Sequence, residues 1–284
     1  MIIIKSTDNK KIKDLIKLQK ASFRKKTKQF LIDGLRETII AIESGVEIKE
    51  VFYCPELTNK KIPNNFKKIN VVEVSETVFK KITYKDNPDG FLALGIRETK
   101  SLSDIILGKN PLVIILESLE KPGNIGAILR SAYAANIDAI ILNNIQTDIF
   151  NPNVIRASEG QVFNNQVVSA SISETVNWLK KHKIKSFAAA TDKSNNYLKA
   201  DFFGSSAIIL GSEANGLSKE WLKLADSRIK IPMRKGIDSL NVSVSAAIIV
   251  FEALRQRNIS KKKYSLTRGY NSINIRQDYP ILRP

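Results

Sequence analysis

The chain has 284 residues, 43% of them apolar, with one cysteine (Cys54), one histidine (His182) and a formal net charge of +17. That length predicts one large domain or two ordinary ones, with enough apolar side chain for a true core. A lone cysteine excludes an internal disulfide and a cysteine-based metal site. No apolar run approaches the ~18 residues of a membrane span, and Met1-Ile2-Ile3-Ile4-Lys5 is too short for a secretory signal. The expectation is a soluble protein of a reducing cytoplasm, with no membrane and no metal. His182 lies in Lys180-Lys181-His182-Lys183, the composition of a solvated helix end rather than a catalytic site.

The charge is not spread evenly. Residues 1–30 carry +8 and residues 255–284 carry +7, which leaves the rest of the chain at +2. Basic charge gathered at both ends of a folded chain suits a polyanion, because neutralising phosphates releases counterions. Plain solubility is the alternative. An anionic membrane surface is a third possibility, but the first thirty residues lack the broad aromatic or leucine face that it needs.

Taken in chain order, helical spacing over Ile12–Leu18 comes first. A short strand Phe30-Leu31-Ile32 follows, then Asp33-Gly34 and a helix Leu35–Ser44. Strand-like runs at Ile48–Tyr53, Ile69–Val74 and Phe91–Ile96, with a helix Glu76–Lys81 among them, make a small αβ module over residues 1–100. Residues 101–110 connect it to a second pattern. There Pro111–Leu116 is a buried strand, Gly126–Ala135 a helix and Ala139–Leu142 a strand. A helix Ser173–Lys181 capped by Ser173, strands Ser186–Ala190 and Ala207–Leu210, a helix Ser218–Ala225, a strand Arg228–Ile231 and a long helix Asn241–Arg257 complete it. Alternating units of this kind predict an α/β fold, a mainly parallel sheet with helices on both faces, over residues 111–259. Residues 260–284 form a basic extension whose Tyr264, Tyr270 and Tyr279 suit base stacking.

Three turns carry the chemistry. In the first, Asn124-Ile125-Gly126-Ala127-Ile128-Leu129-Arg130, Gly123 and Gly126 permit a tight strand-to-helix bend, Asn124 can bind a ligand and Arg130 can reach back to a phosphate. In the second, Gly211-Ser212-Glu213-Ala214-Asn215-Gly216-Leu217-Ser218, a strand empties into a turn that exposes backbone groups around one carboxylate. Its purely structural reading is a strand, a turn and a helix capped by Ser218, with Leu217 and Trp221 in the core. In the third, Ile231 leads to Ser239-Leu240-Asn241-Val242-Ser243, a helix start with Ser239 as N-cap and polar side chains in the first turns, where propensity disfavours them. Neither G-x-G-x-x-G nor G-x-x-x-x-G-K-[ST] is present, which argues against a nicotinamide oxidoreductase.

In this order and spacing, Asn124…Arg130, Gly211-x-Glu213-x-x-Gly216 and Ser239-Leu240-Asn241-x-Ser243 resemble the SpoU (TrmH-like) branch of the SPOUT RNA methyltransferases over residues 111–257. The N-terminal module, through Lys5-Ser6 to Lys10, Arg24 before Phe30-Leu31-Ile32-Asp33-Gly34, and Phe91-Leu92-Ala93-Leu94, resembles the substrate-binding domain of the family's ribosomal-RNA members. The resemblance implies a trefoil knot in the C-terminal sheet. It further implies homodimers with the site at the subunit interface, and S-adenosyl-L-methionine as cofactor. The implied reaction is methylation of a ribose 2′-hydroxyl, in 23S ribosomal RNA before transfer RNA; a non-catalytic RNA-binding assembly factor of the same fold is the other alternative. It places the cofactor near Gly211, Gly216, Ile231, Leu240 and Asn241. Arg130 becomes the activating residue, Asn124, Ser239 and Asn241 position ribose and cofactor, and Glu213 holds an arginine or shapes the pocket. Arg24, Lys25 and Lys26, with Arg255 and Arg257, become RNA contacts. An arginine keeps its proton to above about 12, so Arg130 is read as a phosphate clamp in preference to a free base.

Overall fold

The computed structural model describes residues 3–145, 147–192 and 194–266, with side chains to residue 258. The first half builds a five-stranded sheet from β1 (Ile3–Ile4), β2 (Gln29–Asp33), β3 (Ile48–Tyr53), β4 (Asn70–Val74) and β5 (Phe91–Ile96). Helices α1 (Lys10–Lys17), α2 (Ala21–Thr27), α3 (Leu35–Glu43) and α4 (Glu76–Ile82) lie between the strands. The spatial order is β1-β4-β3-β5-β2, with β5 antiparallel to both its neighbours and the other pairs parallel. Successive side chains in a strand point to opposite faces. Leu31, Phe52 and Leu92 therefore pack with Ile12 of α1 and Phe79 of α4. Phe30, Ile32, Val51 and Phe91 face the other way and enter a core shared with the second half of the chain.

That half holds β6 (Leu112–Glu117), α5 (Pro122–Ala134), β7 (Ala139–Asn143), α6 (Pro152–Ala157), β8 (Val167–Ser169) and α7 (Ile172–Lys181). It continues with β9 (Lys185–Ala189), β10 (Asn195–Asn196), β11 (Ser206–Leu210), α8 (Lys219–Leu224), β12 (Ser227–Lys230) and α9 (Val242–Leu266). The seven strands lie in the order β10-β12-β9-β11-β6-β7-β8, and every neighbouring pair is parallel. Both faces are covered, as expected of an α/β sheet. Val113, Ile115, Ile141 and Ile209 pack with Leu179 of α7 and Trp221 of α8. On the opposite face Leu112, Ile114, Leu116 and Ile208 pack with Ile128 of α5, Val154 of α6 and Ile249 of α9. Among the described residues, no helix is long and apolar enough to cross a membrane.

Several boundaries differ from the sequence pattern for identifiable reasons. Pro122 opens α5, where its missing N–H costs nothing, so Gly123, Asn124 and Gly126 lie inside the helix instead of in the turn before it. A Cβ on Gly126 would come within 2.5 Å of the Ala157 Cβ and 2.8 Å of the Val154 carbonyl oxygen. This glycine serves the close crossing of α5 over α6. Ser171, not Ser173, caps α7, in a reciprocal pair with Glu174. Asn241, not Ser239, accepts the Ser243 backbone N–H at the start of α9. Residues 260–266 prolong α9, whereas the Tyr264 side chain, Tyr270 and Tyr279 fall outside the described residues.

Candidate active site

Because the strands are parallel, the chain leaves β9, β11 and β12 at one edge, the edge where open α/β sheets bind ligands. Three turns meet there around a cleft of about 700 Å³. The first is Ala190–Asp192, the second Gly211–Leu217, and the third runs from Ile231 through Met233 to Asp238–Val242. In the second turn Ser212 and Gly216 exchange backbone hydrogen bonds of 3.1 and 2.9 Å. A Cβ on Gly211 would lie 2.2 Å from the Gly216 carbonyl carbon and 2.4 Å from the Leu217 nitrogen. Only glycine fits this doubled-back loop.

The cleft brings together Gly211, Glu213, Gly216, Ile231, Ser239, Leu240 and Asn241, seven of the residues singled out from the sequence. Two of them, Glu213 and Asn241, join Asn124, which lies outside the lining, so that three polar side chains from the three motifs form one chain. Asn241 Nδ2 donates to Asn124 Oδ1 at 3.1 Å, and Asn124 Nδ2 donates to Glu213 Oε1. Asn241 Oδ1 is held in turn by the Ser243 N–H at 2.9 Å and its hydroxyl at 2.6 Å. Glu213 engages an asparagine here and lines the cleft, the second of the two roles expected of it. The remaining surface is suited to an organic cation with an aromatic base. Leu210, Ile231, Leu240 and Val242 supply apolar walls, Asp192, Glu213 and Asp238 supply carboxylates for a sulfonium and an ammonium, and Lys121, Arg228 and Lys230 supply positive charge for a carboxylate. S-adenosylmethionine has that chemistry. Lys121 and Asp192 escaped the sequence reading; the carboxyl end of β9 was the available signal, since the edge that carries Gly211 and Ile231 also carries Thr191 and Asp192.

Arg130 stands apart from this cluster. Six residues beyond Asn124 on α5, its guanidinium pairs with Glu159 Oε1, and Glu159 Oε2 pairs with Arg36 of α3 at 2.7 Å.

The basic candidates divide sharply. Lys25 and Lys26 are exposed on α2. Arg24, by contrast, is 1% exposed. It donates to Asp148 Oδ2 at 2.8 Å and to the carbonyls of Leu18 and Gln19, so it joins the two halves of the chain and has no face for RNA. Arg257 is likewise committed inward: it donates to the carbonyls of Phe202, Asn110, Pro111 and Gly204 at 2.8–3.2 Å. Burial pushes its pKa down. Arg255 grips Glu252 with two bonds of 2.7 and 2.8 Å, which holds the Glu252 carboxyl below its usual range, yet stays exposed. Among the described residues no group of three or more His, Cys, Asp or Glu is arranged to hold a metal.

Comparison with known proteins agrees with this geometry. Residues 111–251 match the SpoU rRNA methylase family, and residues 9–93 match the MRM3-like substrate-binding domain. The 23S rRNA (guanosine(2553)-2′-O)-methyltransferase RlmP of Bacillus subtilis is 30% identical over 249 residues, 87% of this chain and 97% of that protein. A crystal structure of an RNA 2′-O ribose methyltransferase is 36% identical, with a TM-score of 0.78, covering 90% of this chain and all of that one. An rRNA methyltransferase from Sinorhizobium meliloti with bound AdoMet is 29% identical, with a TM-score of 0.82, covering 89% and 97%. The chain belongs to the SpoU rRNA methylase family, and it is an S-adenosylmethionine-dependent RNA ribose 2′-O-methyltransferase.

Proposed function

We propose that this enzyme methylates a ribose 2′-hydroxyl of 23S ribosomal RNA in the cytoplasm, at a site formed by Asn124, Glu213, Ser239 and Asn241 and completed by Arg130. The observation that carries the site is the Asn241–Asn124–Glu213 chain, which ties three sequence-distant turns together at the cleft. The substrate follows from the relatives, among them the 23S rRNA enzymes of Bacillus subtilis and Streptomyces viridochromogenes. Bound S-adenosylmethionine supplies a methyl group activated on a sulfonium, so no metal is required. Gly211–Gly216, Ile231 and Leu240, which line the cleft, would hold the cofactor. Asn124 and Asn241, each fixed through the other, orient the ribose. Arg130 holds the adjacent phosphate and thereby the hydroxyl.

Residues 1–100 are read as the RNA-gripping domain, 101–110 as the linker, 111–259 as the methyltransferase domain and 260–284 as a basic extension. Exposed Lys25, Lys26 and Arg255 are the RNA contacts of this reading. Helix α9 follows β12 yet packs back on α5 and β11, an arrangement that supports the family's trefoil knot. Val244, Ile248 and Phe251 recur at i, i+4 and i+7, with Val244 and Phe251 exposed, and this stripe supports a homodimer through α9. The test is transfer of labelled methyl from S-adenosylmethionine to ribosomal RNA of a strain lacking the protein, with the product nucleotide mapped. Arg130→Ala is expected to abolish transfer while leaving cofactor affinity unchanged; wild-type transfer by that variant would remove Arg130 from the site.

A further inference from the structure

Glu159 has a conformation that its side chain does not favour. Its φ is +50°, in the left-handed region, and the next residue, Gly160, has φ +80°. The pair closes the turn after α6, and that turn is pressed against α3: a Cβ on Gly160 would lie 3.3 Å from the Glu37 Cα. Left-handed geometry is unfavourable for a residue with a Cβ, and glycine or asparagine relieves it. A glutamate here is not explained by the backbone.

Its carboxylate explains it better. One oxygen takes Arg130 of α5, and the other takes Arg36 of α3 at 2.7 Å. The two arginines come from the two halves of the chain and meet on one anion at their junction. Their side chains are 55% and 65% exposed, whereas that of Glu159 is 28% exposed. Exposed ion pairs contribute little to stability, so stability is a weak reason for the arrangement. Orientation is a stronger one. A guanidinium has five donors in a rigid fork, and contact with one carboxylate oxygen leaves others to face outward.

We propose that Glu159 is a positioning residue for methyl transfer, which aligns Arg130 with Arg36 so that the two forks hold one RNA phosphate across the junction. This rests on the reading of Arg130 as the phosphate clamp. Arg36 then contributes to binding, and Glu159 acts only through the arginines.

Steady-state kinetics with ribosomal RNA separates these roles. Glu159→Gln keeps the shape and removes the charge: kcat is expected to fall by about tenfold to a hundredfold, the upper figure being that of a contact misplaced by about 1 Å, while KM for RNA is unchanged or lower. Glu159→Asp, which keeps the carboxylate, should recover part of that loss. Arg36→Ala should raise KM about fivefold and reduce the slope of log affinity against log salt by about one, as one lost phosphate contact requires. Wild-type kcat in Glu159→Gln, or an unchanged KM and salt slope in Arg36→Ala, overturns the inference. Should Glu159→Gln melt early, the Asp variant and Arg36→Ala carry the test. Arg130→Ala distinguishes the two failures. If it is inactive while Glu159→Gln keeps wild-type kcat, the inference alone falls; if it keeps wild-type activity, the clamp itself falls.

Discussion

At the scale of single residues, the cleft proposed to hold the cofactor depends on one missing methyl group. Gly211 closes on Gly216 and Leu217 so tightly that any side chain must open the loop, and the obstructing atoms are backbone, which cannot swing aside. Gly211→Ala is therefore expected to weaken S-adenosylmethionine binding about tenfold or more by undoing a preformed wall. Calorimetry measures it, and an unchanged affinity would mean that this loop does not touch the cofactor. Asp33 is a second residue-scale case, far from the chemistry. Its Oδ2 accepts from the Thr83 hydroxyl at 2.7 Å and the Tyr84 N–H at 2.6 Å, but Oδ1 is buried without a partner. Burial raises its pKa, and the neighbouring Tyr84 phenol is pushed up to about 12, again chiefly by burial. A raised folded pKa means that the stabilising contribution of Asp33 is full below its unfolded value and is lost as pH rises through the folded one. Asp33→Asn keeps both accepted bonds and has no charge to bury. Its melting temperature relative to wild type should shift in its favour as pH rises above the ordinary aspartate range of about 4, and a constant difference would remove Asp33 from the account.

At the scale of elements, what the sequence disclosed depended on whether an element announces itself by apolar periodicity. Strands β3 and β5 coincide with the strand-like runs Ile48–Tyr53 and Phe91–Ile96, and the parallel strands β6, β7 and β11 are readable as short apolar runs bounded by turns. Helix α2 is not readable, because the residue it buries is Arg24, whose burial is licensed by Asp148 more than a hundred residues away. Helix α6 has only six residues and is held by the crossing with α5, so its signal lies in Gly126 of the other helix. The site followed the same rule. Its glycines and amides were visible as turns, but the Asn241–Asn124–Glu213 chain and the Glu159 pairing are contacts between distant turns, and no local pattern encodes them. Arg257 shows how charge alone misleads. Sitting at the basic end of α9, it donates to four backbone carbonyls that would otherwise lack those donors. Arg257→Lys keeps the charge and loses the planar fork, and each charged-group hydrogen bond forfeited costs about 1.5–3 kcal/mol. The expected outcome is a clearly lower denaturation midpoint with RNA affinity unchanged in the folded fraction; the reverse pattern would return Arg257 to the RNA surface.

At the scale of the whole molecule, the two sheets are joined by more than a connecting segment. The inner face of the first sheet is part of the same apolar cluster as β6, α5 and α9. Phe30 lies 4.5 Å, ring to ring, from Phe150, and the Arg97 guanidinium covers the Phe150 ring at 5.2 Å. Arg24 and Arg97 both reach Asp148, at 2.8 and 3.5 Å. An RNA held by the first half would thus be presented to the second at a fixed angle, which is what a single 2′-hydroxyl target requires. The basic residues of α2 consequently have separable functions although they are adjacent in sequence. Arg24 faces inward, and replacing it with Met leaves Asp148 with the longer 3.5 Å contact to Arg97 as its ion pair; removing one partner of a buried pair costs up to about 3–5 kcal/mol. Lys25 and Lys26 are exposed, and in the proposed reading they neutralise phosphates. Arg24→Met should lower the melting temperature in one cooperative transition, and leave the salt dependence of RNA binding intact where the protein is folded. Lys25→Ala with Lys26→Ala should leave melting alone and reduce the slope of log affinity against log salt by about one to two. Melting curves combined with RNA titrations at several salt concentrations read both at once. A reduced salt slope in the Arg24 variant, or an unchanged slope in the double lysine variant, would mean that the first half of the chain grips RNA through a different face from the one α2 presents.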